Sequence, residues 1–273
     1  MLSSVGGLPD PAPRAVCWNA IIDMVRQAEL PVTAFAAMLA AAMRSEPSRP
    51  VLSALRDQAE WLIARFATPD QATEARAQLE AAVAAMPSRA PDAEQPWAAL
   101  RRLAVAGQTD DARIDAALAA DPSDAGRRSA AACRAAIPDA AHKEAAWRLL
   151  TGDGPGPETV TAVAGGFMQP EHAGLLAPYA ERYLSELPGL WRTRDGHMRV
   201  RLANALFPYP AVTAEFLTRI DEFLTAGAPD PGLARIVRDH RDTAERVLRA
   251  RALQAHVLQR GAGMGVGSRR WCS

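Results

Sequence analysis

Residues 121–151 read DPSDAGRRSAAACRAAIPDAAHKEAAWRLLT. Two alanine-rich stretches, 123–136 and 139–151, lie between short interruptions of proline, aspartate and isoleucine. Alanine has the highest helix propensity of all residues, and the run Asp121-Pro122-Ser123 places a capping side chain and a proline near a helix start. The segment therefore predicts two helices joined by a short turn.

The same pattern continues in both directions along the chain. Apolar residues recur at helical spacing in segments of roughly 12 to 20 residues, and no segment combines period-two alternation with clusters of Val, Ile or Thr. We therefore expect an all-α fold of antiparallel helix pairs, stacked as an irregular α-solenoid of the HEAT or armadillo kind. A compact helical bundle is the alternative. The other predicted helices are 13–28, 33–44, 48–67, 69–86, 96–107, 110–120, 156–168, 171–187, 195–207, 212–226 and 231–256.

Composition narrows the classes of function. The 273 residues carry 31 Lys+Arg against 31 Asp+Glu, so the net charge is zero. Proteins that bind nucleic acid or an anionic membrane surface usually carry a net positive charge, so neither is expected as a partner. A helical array that binds nucleic acid is therefore disfavoured. Nearly every basic residue is arginine, and we attribute the single lysine, Lys143, to codon usage.

The chain organisation predicts one helical-repeat domain over residues 1–256. Pro87 to Pro96 interrupts the helical pattern and is the best candidate for a flexible joint, while the Gly-rich stretch 257–273 is expected to be disordered. The first residues lack the pattern of a secretion signal, and no run approaches ~18 apolar residues. Cys17, Cys133 and Cys272 form no C-x-x-C pair. We expect a soluble, cytoplasmic protein with reduced thiols.

A search for reaction chemistry finds no catalytic centre. The five histidines include no H-E-x-x-H pair, so neither a metal site nor a catalytic residue is predicted within this chain. His142-Lys143-Glu144 lacks the cysteine pair of a nucleobase deaminase. The glycine-rich run 152–156 lacks the G-K-[ST] end of a phosphate loop and is interpreted as a turn between helices. Cys17 and Cys133 are expected to be small buried residues.

The densest polar feature is a run of arginines near residue 196. Four side chains define what we call the arginine patch, and they are candidates for pairing with a carboxylate of a bound peptide. The alternative interpretation is a solvated helix face with ion pairs. The arginine patch consists of Arg192, Arg194, Arg199 and Arg201.

Several stretches resemble the C-terminal HEAT-like helical domain of zinc aminopeptidases of the aminopeptidase N family, especially its actinobacterial form. Their order and spacing are kept over roughly residues 2 to 256, and the ordered set carries the resemblance. The stretches are LPDPAPRAVCWNA (8–20), DMVRQAELP (23–31), LRRL (100–103), DPSDAG (121–126), AAIPD (135–139), KEAAW (143–147), GGFMQPEH (165–172), LLAPY (175–179), RDHRD (238–242) and RVLRARA (246–252).

The resemblance implies a role without catalysis in this chain. In that family a separate catalytic domain holds zinc in an H-E-x-x-H site, and none of its motif residues has a counterpart here. The implied role is a lid that closes over the catalytic domain, in the same or a separate chain, and lines the cavity for the peptide substrate. The chain begins inside the opening helix of that domain, which suggests a fragment. A free-standing helical scaffold that binds a protein or peptide is the alternative function.

Overall fold

The computed structural model describes residues 11–44, 46, 48–85, 96–226 and 230–264. Over these ranges the backbone forms helices and turns and contains no strand, which confirms the predicted all-α class. Two short 3-10 turns lie at Pro170–His172 and Tyr209–Ala211. The α-helices of the described residues are α1 (Pro11–Arg26), α2 (Val32–Ala42), α3 (Arg49–Phe66), α4 (Pro69–Ala84), α5 (Pro96–Val105), α6 (Asp111–Ala120), α7 (Asp124–Ala136), α8 (Ala140–Thr151), α9 (Pro157–Phe167), α10 (Ala173–Thr193), α11 (Gly196–Ala205), α12 (Ala214–Thr225) and α13 (Pro231–Met264).

Several of these helices start with a side chain that accepts a hydrogen bond from a backbone N–H of the first turn. Ser123 Oγ accepts a hydrogen bond from the backbone N–H of Gly126 at 3.0 Å, at the start of α7. Asp230 Oδ1 accepts from the backbone N–H of Gly232 at 2.8 Å, at the start of α13. Each such bond satisfies a donor that the first helical turn leaves unpaired, and is worth about 1 kcal/mol. The starts predicted for these two helices, at residues 123 and 231, are confirmed to within one residue.

The described contacts divide the chain into two compact units. The first comprises Met1–Met86 and Glu245–Ser273, and the second comprises Pro87–Ala244. The expected joint at 87–96 lies outside the described residues, except for Pro96. The last part of the predicted tail, residues 265–273, also lies outside them. α13 continues to Met264, past its predicted end at residue 256. The predicted domain boundaries stay predictions.

The first unit has a core built from α1 to α4. Phe35 on α2 is fully buried and meets the ring of Trp18 on α1 edge to face, with ring centroids 6.1 Å apart. A buried ion pair joins Arg14 to Glu46, with the Arg14 Nε and Nη2 atoms 3.0 and 3.2 Å from the carboxylate oxygens. This two-point geometry compensates the desolvation of both charges.

The second unit is organised around α7, which packs against α5, α6, α8 and α9. The contact between α7 and α9 is close because of Gly166. A Cβ atom at this glycine would lie 2.0 Å from the carbonyl oxygen of Ala132. The sequence predicts the end of this helix near Gly166, and α9 ends at Phe167 as expected. Gly166 is also required for the close approach of the two helices.

The predicted end of α10 at residue 187 is wrong. The helix continues to Thr193 although Pro188 lies inside it. Leu184, Leu187 and Trp191 are all buried and occupy positions i, i+3 and i+7. Burial of this apolar stripe stabilises the helix on both sides of Pro188, although the proline cannot donate a backbone hydrogen bond.

The tryptophans differ in how deeply they are buried. Trp18, Trp147 and Trp191 are buried, while Trp61 and Trp97 are half-buried. Trp61 stacks against two guanidinium groups, those of Arg26 at 4.9 Å and Arg65 at 4.2 Å from the ring centroid.

Among the described residues, no helix is both long enough and apolar enough to span a lipid bilayer.

Candidate functional site

The arginine patch lies around the turn between α10 and α11. Arg192 belongs to the last turn of α10 and is exposed. Arg194 follows as the C-cap of α10, and Arg199 and Arg201 lie on α11. The structure therefore places the four residues in one region of the second unit, although their side chains make different contacts.

Arg194 connects this turn to the loop after α8. Its Nη1 atom forms an ion pair with the carboxylate of Asp153, and its Nη2 atom donates to the carbonyl oxygen of Thr151 at 2.5 Å. The Arg194 side chain is 14% exposed, whereas Asp153 is almost wholly exposed. Arg194 Nε is buried and has no hydrogen-bond acceptor in the described part of the chain.

Two other members of the patch brace α11. The Arg199 guanidinium carbon lies 4.8 Å from the ring centroid of Trp191, a cation–π geometry. Arg201 Nη1 donates to Thr161 Oγ1 on α9 at 2.8 Å. Among the described residues, Arg192 is the one member whose guanidinium forms no hydrogen bond, ion pair or cation–π contact. The other three members hold neighbouring elements together, so the patch combines structural contacts with one exposed guanidinium.

A pocket of about 240 Å³ opens beside Arg194 in the second unit. Its polar rim comes from the loop after α8 and from the turn between α10 and α11, and includes Asp153, Thr193, Arg194 and Asp195. The run 152–156 forms one edge, so its interpretation as an interhelix turn is confirmed. Leu150, Val160 and Leu202 lie behind this rim but are almost completely buried, and Met198 is half-buried, so the surface open to solvent is mainly polar.

The pocket rim carries both signs of charge. Asp195 is the N-cap of α11, and its Oδ1 atom accepts from the backbone N–H groups of His197 and Met198 at 3.1 and 2.8 Å. Gly156, the N-cap residue of α9, provides no side-chain cap. The pocket rim therefore carries the carboxylates of Asp153 and Asp195 beside the Arg194 guanidinium, which is already paired with Asp153 and Thr151.

Lys143 forms a second polar feature, which the sequence analysis missed. It is fully buried on α8, and its Nζ atom donates to the carbonyl oxygens of Ala135 at 2.7 Å and Phe167 at 3.1 Å. These carbonyls lie at the C-terminal ends of α7 and α9, where helix dipoles favour a cation. Burial lowers the pKa of Lys143 to about 7, and the charges of Asp139 and Glu171 act in the opposite direction.

Lys143 was detectable from its position in the apolar pattern. Lys143, Ala146, Trp147 and Leu150 have the spacing i, i+3, i+4 and i+7, and all four are buried. This spacing predicts a core-facing lysine, so attributing Lys143 to codon usage overlooked its structural role.

The other sequence candidates have local partners. His142 pairs with Asp139 and, through Nε2 at 3.2 Å, with Asp111. Cys133 is buried as predicted, and burial raises its pKa to about 11, whereas Cys17 is only half-buried. In the residues that the structure describes, no group of three or more His, Cys, Asp or Glu side chains is placed to hold a metal ion.

Comparison with known proteins gives two matches. The model of the ERAP1-like C-terminal domain family matches residues 61–246. The chain is also 32% identical, over 297 aligned residues, to an aminopeptidase N of Streptomyces lividans. That alignment covers 93% of this chain and 35% of the relative. The chain therefore spans about a third of the length of the curated relative it matches.

Proposed function

Because the chain belongs to the ERAP1-like C-terminal domain family, we propose that it is the C-terminal lid domain of a zinc aminopeptidase of the aminopeptidase N type. The family match over residues 61–246 carries this proposal. The partner is the catalytic domain, in the same or a separate chain, and the substrate is a peptide cleaved at its amino terminus. Zinc belongs to that catalytic domain, and the setting we propose is the cytoplasm.

The packing order of the helices supports a repeat array. In both units, the substantial contacts among α1 to α12 join helices one or two positions apart along the chain. This near-neighbour packing is typical of stacked helix pairs, in which each repeat contacts the next. We therefore propose an irregular HEAT-like α-solenoid as the architecture of this domain.

A helical lid contributes to peptide hydrolysis without taking part in bond cleavage. When such a domain closes over a catalytic domain, it excludes water from the reaction and limits the length of peptide that fits. The chain's own residues would then line the part of the cavity that holds the distal end of the peptide. Its role is to bind and orient the substrate.

The arginine patch is the proposed contact for a carboxylate of the bound peptide. Arg192 is exposed and forms no hydrogen bond, ion pair or cation–π contact with the described residues, so its guanidinium is available for a two-point interaction. Arg199 is held against Trp191 in a fixed orientation. Arg194 and Arg201 support the patch by bracing its two ends against the α8 loop and α9.

The proposal is tested by assaying the purified chain alone. Turnover of a chromogenic amino-acid anilide and zinc content are measured on the same sample, with the complete Streptomyces relative as the positive control. We expect no turnover and no stoichiometric zinc, because this chain supplies substrate contacts and not the reaction centre. Stoichiometric zinc together with chelator-sensitive turnover would overturn the non-catalytic role.

A further inference from the structure

The helices of the second unit separate their charges. α7 packs against α5 and α9, and α9 packs against α11, so these four helices form one row, which we call the basic row. Their sequences contain seven arginines and two acidic residues. The helices that alternate with them along the chain, α6, α8, α10 and α12, contain six basic and eight acidic residues. The positive charge of this unit is therefore concentrated in the basic row.

Part of this positive charge has no acidic partner among the described residues. Arg127 pairs with Asp124, and Arg134 pairs with acidic residues of α6. Arg199 and Arg201 instead contact neutral groups in the described part of the chain, an indole ring and a hydroxyl. Because such contacts leave the guanidinium charge uncompensated, the basic row keeps a positive surface that an acidic ligand complements.

Two arginines of the basic row reach the same exposed side of α9. Arg101 Nη2, from α5, lies 2.5 Å from Gly165 O, and Arg201 Nη1, from α11, lies 2.8 Å from Thr161 Oγ1. Thr161 and Gly165 are exposed and lie four residues apart, which is about 6 Å along the helix axis. Arg201 is itself exposed, and a guanidinium carries donors beyond the one that Thr161 uses. Two guanidinium groups therefore flank an exposed surface of α9 without bulky side chains.

The spacing of these two groups limits the ligand. In an extended peptide, alternate side chains point to the same side and lie roughly 6.6–6.8 Å apart. Two acidic residues separated by one other residue therefore present their carboxylates at about the spacing found on α9. Glu158, the one acidic residue of α9, is exposed and lies three residues before Thr161. Its charge would repel a longer acidic run in that direction.

We infer that this surface of the basic row binds an extended peptide segment with acidic residues two positions apart. Arg201 donates to one carboxylate through its remaining N–H groups, and the charge of Arg101 attracts the other. Nucleic acid fits less well, because the whole chain has no net charge and α6, α8, α10 and α12 carry an acidic excess. That peptides of this class are substrates of a complete enzyme rests on the proposed function, whereas their binding to this chain does not.

An NMR titration of the full chain with three short peptides tests the inference. GSESESG has alternate glutamates, GSEESSG has the same composition with adjacent glutamates, and GSQSQSG is neutral; all are acetylated and amidated to remove the terminal charges. At low salt we expect saturable binding of GSESESG in the micromolar to millimolar range, about threefold weaker binding of GSEESSG, and no saturable binding of GSQSQSG. Absence of saturable GSESESG binding at millimolar concentrations, or equal binding of either other peptide, would overturn the inference.

Two variants with matched controls locate the surface. Gly165→Glu places a carboxylate of the chain itself beside Arg101, since a Cβ atom at Gly165 would lie 3.3 Å from Arg101 Nη2. Gly174→Glu makes the same change on α10, where a Cβ atom meets nothing within 4 Å. Arg201→Gln removes one guanidinium of the surface, and Arg113→Gln removes an exposed one from α6. The first variant of each pair should weaken GSESESG binding about three- to tenfold, and its control should not. Wild-type affinity in Gly165→Glu or Arg201→Gln would place the peptide elsewhere and overturn the inference.

Circular dichroism of each variant distinguishes loss of the surface from loss of the fold. An oligothymidylate of comparable length that binds the chain more tightly than GSESESG would indicate a nucleic-acid surface and overturn the peptide assignment. The binding result is independent of peptidase activity and zinc content. A chain that fails to bind GSESESG therefore contradicts this inference alone, whereas turnover by the isolated chain contradicts the lid role alone.

Discussion

At the residue scale, Lys143 shows how one buried cation joins two helix ends. Its Nζ atom donates to Ala135 O in the last turn of α7 and to Phe167 O at the end of α9, where Phe167 O also accepts from the backbone N–H of Gln169. The cost is desolvation of the ammonium, which lowers the pKa of Lys143 to about 7 from an ordinary value of 10.5. Its contribution to stability is therefore expected to depend on pH.

Replacement of Lys143 by methionine tests that dependence. The folded state binds its proton more weakly than the unfolded state, so the wild-type chain gains stability as pH rises from about 7 toward 10.5. Lys143→Met leaves Ala135 O without the Nζ donor, while Phe167 O keeps the backbone N–H of Gln169, and the loss should cost about 1–3 kcal/mol. In urea denaturation, the stability difference between wild type and variant should be larger at pH 9 than at pH 6.5.

The control for this prediction is Arg113→Met, which removes an exposed cation on α6. Its effect on the free energy of unfolding should be small and nearly equal at the two pH values. If the Lys143→Met difference were also equal at the two pH values, the lowered pKa of Lys143 would be contradicted.

We predict that Arg192 contacts the peptide substrate. In a complete enzyme that contains this chain as its C-terminal part, Arg192→Ala should raise KM for a long peptide about two- to tenfold, because an exposed charge-assisted contact is lost. KM for a short amino-acid anilide should not change. The triple replacement of Arg192, Arg194 and Arg199 by alanine should have a larger effect on the long peptide.

Steady-state kinetics on a series of peptide lengths measures this effect, with Arg113→Ala as the exposed control. An unchanged KM and an unchanged length preference in the triple variant would rule out the arginine patch as a peptide contact.

At the scale of elements, the contact between α7 and α9 depends on a missing side chain. A Cβ atom at Gly166 would overlap the carbonyl oxygen of Ala132, and this atom belongs to the backbone of α7. Because a carbonyl oxygen belongs to the backbone of α7, it cannot move aside by itself, so an added Cβ atom would push the two helices apart. Gly166 therefore fixes how closely these two helices approach.

Gly166→Ala should destabilise the chain by about 1–3 kcal/mol or more, because the two helices must move apart. Gly154→Ala is the matched control, since a Cβ atom at Gly154 meets nothing within 4 Å. Thermal denaturation of the two variants measures the difference. Equal melting temperatures for Gly166→Ala and Gly154→Ala would contradict the close packing of α7 on α9.

Element boundaries were predictable where local chemistry sets them. Ser123 caps α7 and Asp230 caps α13, and in both cases the capping residue is recognisable from the sequence. The end of α10 was not predictable from local signals, because Pro188 suggests a stop and tertiary burial of Trp191 prevents it. A local rule fails at this position because packing energy outweighs it.

At the scale of the whole molecule, the fold class follows from composition, whereas the pocket does not. Alanine content and the spacing of apolar residues predict the helices, because both depend only on residues close together in the sequence. The pairing of Arg194 with Asp153 joins residues 41 positions apart, and no local pattern encodes such a contact. The arginine-rich run around Arg192 is visible in the sequence, but only the structure shows that Arg194, Arg199 and Arg201 contact neighbouring residues while Arg192 forms no hydrogen bond or ion pair with the described residues.

The chain matches about a third of an aminopeptidase N. In the proposed lid role, this chain controls substrate access and length, and the rest of the enzyme cleaves the bond. This division of roles is the central claim about the molecule.

The most direct test replaces the matching third of the Streptomyces aminopeptidase N with this chain. KM is measured over a series of peptide lengths for the chimera, the complete relative and the relative truncated to lack that third. We predict that truncation weakens the dependence of KM on length, and that the chimera restores it. A chimera with a folded C-terminal part that behaves like the truncated enzyme at every length would contradict the lid role.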